Sequence, residues 1–88
     1  LHPNYPNPFN PLTRVNYDIP KEGPVELIVF DILGREVVTL MDANIQAGDH
    51  TMTWRGLNKH RQAVAAGVYF FQLRSKDFTR TIKMLLLK

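Results

Sequence analysis

Apolar and polar residues alternate along most of this chain with the two-residue period of β-strands. Within residues 12–19, Val15, Tyr17 and Ile19 form the apolar set and polar residues stand between them, which predicts a half-buried strand. Residues 25–31 are apolar on both faces, so we expect this strand at the centre of a sheet. No segment keeps a 3.6-residue period for long enough to predict a helix.

A tight turn is predicted after the second strand, where Asp31 and Gly34 stand three residues apart. Asp accepts hydrogen bonds from nearby backbone N–H groups, and Gly adopts positive φ readily. The turn would return the chain into a strand over residues 35–41 and so form a hairpin. The polar residues 42–48 are predicted to be a loop.

The next predicted strand covers residues 49–55, where His50, Met52 and Trp54 share one face. We expect Trp54 to be the anchor of the core and His50 to lie beside it at the edge of the core. Residues 56–63 form the most polar stretch of the chain and predict an exposed loop.

The two most apolar segments lie at the end of the chain, in residues 67–74 and 78–88. Only Ser75, Lys76 and Asp77 separate them, which is too short for anything but a tight reversal. The two segments therefore predict an antiparallel hairpin.

The last strand loses its alternation near its end. Ile82, Met84 and Leu86 share an apolar face, but Leu85 and Leu87 fall on the face that is otherwise polar. Either another segment covers these two leucines, or they are presented to a partner. Exposed apolar surface beside an unpaired strand edge is suited to docking.

The first residues carry four of the six prolines, which predicts an extended segment that cannot be a central strand. We divide the chain into this Pro-rich linker or edge segment, residues 1–11, and a sandwich domain over residues 12–88. Tyr5 and Phe9 would point to the same side of an extended chain, and we expect both to pin the segment to the edge of the sandwich.

The fold class that follows is all-β: an immunoglobulin-like antiparallel sandwich of about seven short strands without a disulfide, since the 88 residues include no Cys. The net charge of +3 is scattered, which does not suggest a nucleic-acid partner. No run approaches the roughly 18 apolar residues of a membrane-spanning helix. Because the chain starts at Leu1 and not at Met, we expect it to be the tail of a longer protein.

Residues that could carry chemistry are too dispersed to form a site. The chain has three histidines: His2, His50 and His60. None has a partner at a spacing that suits a metal ligand, and the single Ser lies in the predicted hairpin turn. Four other polar residues could crowd one end of the sandwich: Asp31, Asp42, Asn44 and Asp49. They lack the pattern of a calcium loop, so we interpret them as turn residues. We expect no enzyme activity, metal, cofactor or small-molecule substrate.

An aromatic platform for sugars is an alternative. Trp54, Tyr69 and Phe70 could stack on carbohydrate if their faces were open to solvent. The chain would then be a non-catalytic immunoglobulin-like accessory module of an extracellular enzyme, binding carbohydrate or protein.

Several short motifs resemble one family when they are taken together and in order. The first is the opening motif, Asn4, Tyr5, Pro6, Asn7, Pro8, Phe9, Asn10 and Pro11. The others are Val29-Phe30-Asp31, Gly34-Arg35-Glu36-Val37, Ala47-Gly48 with His50, Trp54, Gly67-Val68-Tyr69-Phe70 and Lys83-Met84 followed by Leu86-Leu87-Lys88. They closely resemble the type A C-terminal sorting domain of the type IX secretion system. The immunoglobulin-like domain of flagellar hook-capping proteins shares the pattern at the level of the fold.

The resemblance implies a sorting signal for a fused upstream cargo domain, recognised in the periplasm by an outer-membrane translocon. A sortase-like peptidase would remove it near the start of the opening motif, and the cargo would reach the cell surface or be secreted. The residues implied in recognition are Gly67, Val68, Tyr69, Lys83, Met84, Leu85, Leu86, Leu87 and Lys88. We also expect weak self-association through an edge strand.

The chain departs from the family pattern in two places. Arg55 and Arg61 stand where the family has an acidic residue and a Gly, so we expect a different turn in the loop after Trp54. Asp77 replaces the usual Gly of the last hairpin turn, and the turn should survive because Asp tolerates left-handed backbone.

Overall fold

Six antiparallel strands form two sheets in the computed structural model, which describes residues 1–87. The strands are β1 (Thr13–Ile19), β2 (Gly23–Asp31), β3 (Glu36–Ile45), β4 (Gly48–Trp54), β5 (Gly67–Ser75) and β6 (Thr79–Leu86). One sheet pairs β1 with β4, and the other has the order β3-β2-β5-β6. The predicted all-β sandwich is confirmed, with six strands where about seven were expected. Within the described residues, no helix has the length and apolar character needed to cross a membrane.

The core fills the space between the two sheets, and the two-residue period of the strands builds it. In β1, Val15, Tyr17 and Ile19 are buried and the residues between them are exposed, as the sequence predicts. The larger sheet contributes inward residues from its two central strands: Val25, Leu27, Val29, Tyr69, Phe71 and Leu73. β2 lies between β3 and β5, so its predicted central position is confirmed.

The turn between β2 and β3 follows the prediction. Asp31 Oδ1 accepts hydrogen bonds from the backbone N–H groups of Leu33 at 2.9 Å and Arg35 at 3.0 Å, and Gly34 has φ 81°. Arg35 Nε donates to Asp31 Oδ2 at 2.8 Å. These hydrogen bonds, the one from the Arg35 backbone first, lower the pKa of Asp31. The turn therefore holds an ionised Asp at neutral pH.

The loop predicted over residues 42–48 is wrong in its first part, because β3 continues to Ile45. Residues 42–45 pair with the start of β2, where Gly23 lies opposite Ile45 and Glu26 opposite Asp42. This is the outer end of an edge strand, and its side chains from Asp42 to Asn44 are exposed. Backbone pairing alone extends the strand, so the apolar alternation that marks a half-buried strand is missing.

The sandwich has two ends that differ in construction. The upper end contains the start of β1 and the ends of β4 and β6, where Thr13 pairs with Trp54 and Gly67 pairs with Leu86. The lower end contains the end of β1 and the β5–β6 turn, where Ile19 pairs with Gly48. Residues 1–11 run along the side of the sandwich from the lower end to the upper end, between β1 and β6.

Candidate functional site

The opening motif and the end of β6 contact each other at the upper end. Phe9 N donates to Leu85 O at 3.0 Å, and Leu87 N donates to Phe9 O at 2.8 Å, which makes a parallel bridge at Leu86. The Asn7 side chain accepts a hydrogen bond from Leu85 N at 3.0 Å. Asn7 and Leu85 are 78 residues apart in the sequence. The two segments that most strongly resemble sorting domains therefore form one structural unit.

Phe9 fixes this unit to the core. Its side chain is 1% exposed, and its ring centroid lies 5.7 Å from that of Trp54. Trp54 in turn packs edge-on against Tyr69 at 5.2 Å and Phe71 at 6.2 Å. The Trp54 Nε1–H donates to Leu57 O at 2.9 Å, so its one polar group is satisfied inside the cluster. We call Phe9, Trp54, Tyr69 and Phe71 the aromatic cluster.

The first half of the segment pairs with β1 instead of β6. His2 N donates to Asn16 O at 2.9 Å, and Tyr5 and Arg14 exchange hydrogen bonds of 2.8 and 2.9 Å. The segment thus changes from one sheet to the other between residues 5 and 9, and it covers the gap between them.

The expectation that the Tyr5 side chain pins the segment is wrong, since Tyr5 is 78% exposed and holds the segment through its backbone alone. Asn4 is buried in its place. Its Nδ2 donates to Thr13 Oγ1 at 3.0 Å and to Pro6 O at 3.3 Å, and Thr13 Oγ1 also donates to Pro6 O at 2.8 Å. These hydrogen bonds set the position of the segment, so the small polar residue faces inward and the ring faces solvent. The other five residues of the opening motif are exposed: Pro6, Asn7, Pro8, Asn10 and Pro11.

The recognition residues expected in β5 and β6 are direct neighbours. Gly67, Val68 and Tyr69 pair with Leu86, Leu85 and Met84 in that order. The side chains of these residues lie on both faces of the sheet. Tyr69, Met84 and Leu86 are on the inner face and are buried in the core.

The residues left accessible are Lys83, Leu85 and Leu87. Leu85 is 38% exposed and Leu87 is 46% exposed, so no other segment within residues 1–87 covers these two leucines fully. Lys88 lies outside the described residues.

The outer edge of β6 is only half unpaired. Its backbone groups at Leu85 and Leu87 bind residues 7–9, as described above. By the alternation of the strand, Thr81 and Lys83 also turn their N–H and C=O groups away from β5, and nothing in residues 1–87 pairs with the backbone there. The expected unpaired edge is therefore confined to the part of β6 before Met84.

The lower end carries a polar group that sequence reasoning missed. Asp18 and Asp49 are cross-strand partners in β1 and β4, and His2 Nε2 lies 2.7 Å from Asp18 Oδ2. Hydrogen bonding to Asp49 and to His2 lowers the pKa of Asp18. Hydrogen bonding to Asp18 and repulsion by its charge raise the pKa of Asp49. The pair can therefore share one proton at acidic pH.

His50 lies away from Trp54, contrary to expectation. It stacks on Tyr17 with ring centroids 5.4 Å apart, and its Nε2 lies 2.8 Å from Gln46 O. Within residues 1–87, no three His, Asp or Glu side chains are grouped to hold a metal ion.

A carbohydrate platform does not fit the aromatic residues. Trp54 and Tyr69 are buried in the aromatic cluster, and the Tyr69 hydroxyl donates to Ala65 O at 2.6 Å. Only Phe70 remains half-buried on the outer face of the sheet. The three rings therefore do not offer the common open face that sugar stacking needs.

The loop after Trp54 keeps a left-handed residue. Arg61 has φ 61°, a conformation that glycine adopts at little cost and other residues rarely do. The Asn58 side chain supports the turn by accepting hydrogen bonds from the backbone N–H groups of His60 at 2.9 Å and Gln62 at 3.0 Å. The backbone at Arg61 is thus glycine-like. In the last hairpin, Ser75 Oγ accepts hydrogen bonds from Asp77 N and Phe78 N, both at 3.3 Å, and the predicted turn forms. Asp77 does not adopt the left-handed backbone on which that prediction was based.

Comparison with known proteins gives one family and one solved structure. The family model for the FlgD Ig-like domain matches residues 13–77, which is more than half of the chain. The solved structure is that of PorZ, an essential bacterial surface component of the type-IX secretion system of human oral-microbiomic Porphyromonas gingivalis. Its TM-score is 0.63 at 17% identity, over 97% of this chain and 11% of PorZ. The chain thus spans about a tenth of the length of PorZ, and the likeness shows the fold. None of the curated proteins compared with the chain matches it.

Proposed function

We propose, given that this chain belongs to the FlgD Ig-like domain family, that it is a C-terminal sorting domain of the type IX secretion system. In this role it directs a larger exported protein through the outer-membrane translocon. The observation that carries the proposal is the contact between residues 7–9 and residues 85–87. The two segments that most closely resemble sorting domains are built into one unit at one end of the sandwich. The fold shared with part of a type-IX secretion component gives further support.

Recognition of the domain is protein binding without catalysis. Leu85 and Leu87 supply apolar contacts, and Lys83 supplies a positive charge on the same face of β6 as Leu85. Pairing with backbone groups along the strand edge adds affinity that does not depend on side chains. Residues 67–69 act indirectly, because they hold the end of β6 in place.

Release of the domain by a sortase-like peptidase fits a cut ahead of Asn4. Asn4 and Phe9 are both buried, so a cut between them would remove contacts that hold the segment on the sandwich. A cut before Asn4 leaves these contacts intact. The cargo would pass through the periplasm and then remain on the cell surface or be secreted.

A reporter fusion tests this proposal. The domain is fused to the C-terminus of a periplasmic reporter in a bacterium that has the secretion system, and reporter outside the cell is measured. Changing both Leu85→Ser and Leu87→Ser should leave the reporter in the periplasm, because the two side chains are exposed and the core is untouched. Deleting residues 83–88 is a less specific test, since it also removes the buried Met84 and Leu86.

The matched control changes two other exposed apolar residues, Ile32→Ser and Leu33→Ser in the β2–β3 turn, which are 69% and 73% exposed. This variant should be exported like the unmodified fusion. Export of the Leu85/Leu87 variant at the unmodified level would refute the proposal.

A second candidate is an accessory or spacer module with no part in transport. The match to the FlgD Ig-like domain favours it as an alternative, since that match covers residues 13–77 and neither the opening motif nor the end of β6. In that case the unmodified domain would not carry the reporter out of the cell.

A further inference from the structure

Backbone hydrogen-bonding groups of β6 are open at Thr81 and Lys83, and the C=O of Thr79 accepts a hydrogen bond from the Arg80 side chain at 3.1 Å. Leu85 turns its N–H and C=O outward to Asn7 and Phe9, and residues 79, 81 and 83 follow the same alternation. Within residues 1–87, the backbone groups of Thr81 and Lys83 on this side have no partner. Open donors and acceptors along a strand edge match an added strand.

The same edge already binds the chain's own backbone at its upper end, through one bridge at Phe9. Residues 7–9 lie alongside residues 85–87 and run parallel to β6. The outward backbone groups of β6 are thus able to pair with another segment, and the chain itself occupies only the last part of the edge. An added strand must stop before Asn7, so the free length accepts about five residues.

An open cavity lies beside this free edge. It has a volume of about 440 Å³, and its lining includes the apolar residues Leu1, Ile19 and Phe78 and the charged residues Asp18, Asp49 and Arg80. Arg80 and Ile82 are on the face of β6 that turns toward the other sheet, since they pair with Leu73 and Phe71 of the core. Alternate side chains of an added strand would point into this cavity.

The charge of β6 indicates which side chains an added strand should carry on its other face, away from the cavity. From Thr79 to Leu86 the strand carries Arg80 and Lys83 and no carboxylate. Lys83 is exposed on the outer face of the sheet, beside Thr81. Acidic residues at the alternate positions of an added strand would lie against this charge.

We propose that residues 79–83 and the adjoining cavity form an acceptor site for one extended strand of a partner protein. The strand has about five residues, with apolar side chains facing the cavity and acidic side chains facing Lys83. This proposal rests on the proposed function and deepens it. It places the translocon contact on the part of β6 that residues 7–9 leave open, in addition to the exposed leucines.

A peptide titration tests the site directly. The probe is an acetylated and amidated peptide, Val-Glu-Val-Glu-Val, added to the ¹⁵N-labelled domain while its amide signals are followed by NMR. Saturable shifts are expected at residues 79–83, and no comparable shifts at the upper end. Thr81→Pro removes the outward N–H while leaving the pairing with β5, and should weaken binding at least ~10-fold.

Thr81→Val is the matched control, because it keeps the N–H and loses the same hydroxyl contact with Gln72. It should bind like the unmodified domain. Lys83→Glu gives a second measurement that does not depend on proline. It should weaken binding of the acidic peptide and strengthen binding of Val-Lys-Val-Lys-Val. Equal binding by Thr81→Pro and Thr81→Val, or the absence of shifts at residues 79–83, would overturn the proposal.

The reporter assay separates this site from the proposed function. If the Thr81→Pro fusion is exported normally while the Leu85/Leu87 variant is retained, the acceptor site is wrong and the sorting function stands. If the peptide binds as expected but the Leu85/Leu87 variant is exported, the sorting function is wrong. Dimers that form with concentration and disappear in Thr81→Pro would mean that a second copy occupies the edge, which also overturns the proposal.

Discussion

The two ends of the sandwich are built on opposite principles. At the upper end, Phe9 from the first residues of the chain completes the aromatic cluster, and Leu86 from the last strand is buried in the same core. At the lower end, the carboxyl groups of Asp18 and Asp49 lie opposite each other and help to line an open cavity between the sheets. Buried apolar area stabilises the first end, whereas the second leaves apolar and charged groups for other contacts.

The difference separates the source of stability from the surface available for binding. β6 takes part in both, since its upper part is anchored by buried Met84 and Leu86 and its lower part has an open edge. A partner can therefore pair with the lower part without unfolding the upper part. Variants at each end should affect different measurements.

The largest effect is expected at the upper end. Phe9→Ala should lower the free energy of unfolding by about 3–5 kcal/mol, because a buried ring is lost from the aromatic cluster and leaves a cavity. The free energy of unfolding is measured by urea titration, with Trp54 fluorescence as the signal. Tyr5→Ala in the same segment is the control, with an expected change within about 0.5 kcal/mol since Tyr5 is exposed. Similar losses in both variants would mean that Phe9 has no special role in closing this end.

A smaller gain is expected in the loop that borders the upper end. Arg61→Gly should raise the free energy of unfolding by about 0.5–1 kcal/mol, because glycine adopts the left-handed backbone of this position without strain. Thermal or urea unfolding of the variant and the unmodified domain measures this gain in stability. Arg55→Gly, at an exposed position without positive φ, should give no gain. A loss of stability in Arg61→Gly would show that the Arg side chain contributes more than the strain it imposes.

The smallest effect is expected at the lower end and depends on pH. The raised pKa of Asp49 means that its protonated form stabilises the fold at acidic pH, and this contribution is lost as pH rises through the raised value. Asp18 has a lowered pKa, so its contribution is present above its ordinary range and is lost as pH falls through the lowered value.

Asp49→Asn tests this pair, because an amide can donate to Asp18 at any pH. The variant should be more stable than the unmodified domain at neutral pH, and the difference should shrink toward acidic pH. Melting temperatures at a series of pH values measure it, with Asp42→Asn on β3 as the control. An equal change at every pH would contradict the sharing of a proton between the two carboxyl groups.

The sequence predicted those elements whose side chains face a single core. β1 was identified by its three buried residues, and the β2–β3 hairpin by Asp31 and Gly34, because local chemistry determines both. The outer end of β3 was missed since backbone pairing with β2 extends it and its side chains are exposed. Tyr5 was expected to pin the segment because it shares a side with Phe9 in an extended chain, but the hydrogen bonds of Asn4 decide which residue faces inward.

The sequence predicted which residues belong to the candidate site, but it did not predict which of them are in contact. The resemblance selected both the opening motif and the end of β6, yet nothing in a linear pattern indicates that Asn7 binds Leu85. The pairing of Asp18 with Asp49 also depends on the register of two strands that are distant in sequence. Long-range register was therefore the missing information at both ends.

The contact between Phe9 and the end of β6 also has a consequence for synthesis. A ribosome releases residues 85–87 long after residue 9 has emerged, and until then the aromatic cluster lacks its last covering strand. A chain that stops early cannot complete the upper end. The upper end therefore closes only after residues 85–87 have been synthesised, so the contact that holds Phe9 in place forms late in the synthesis of this domain.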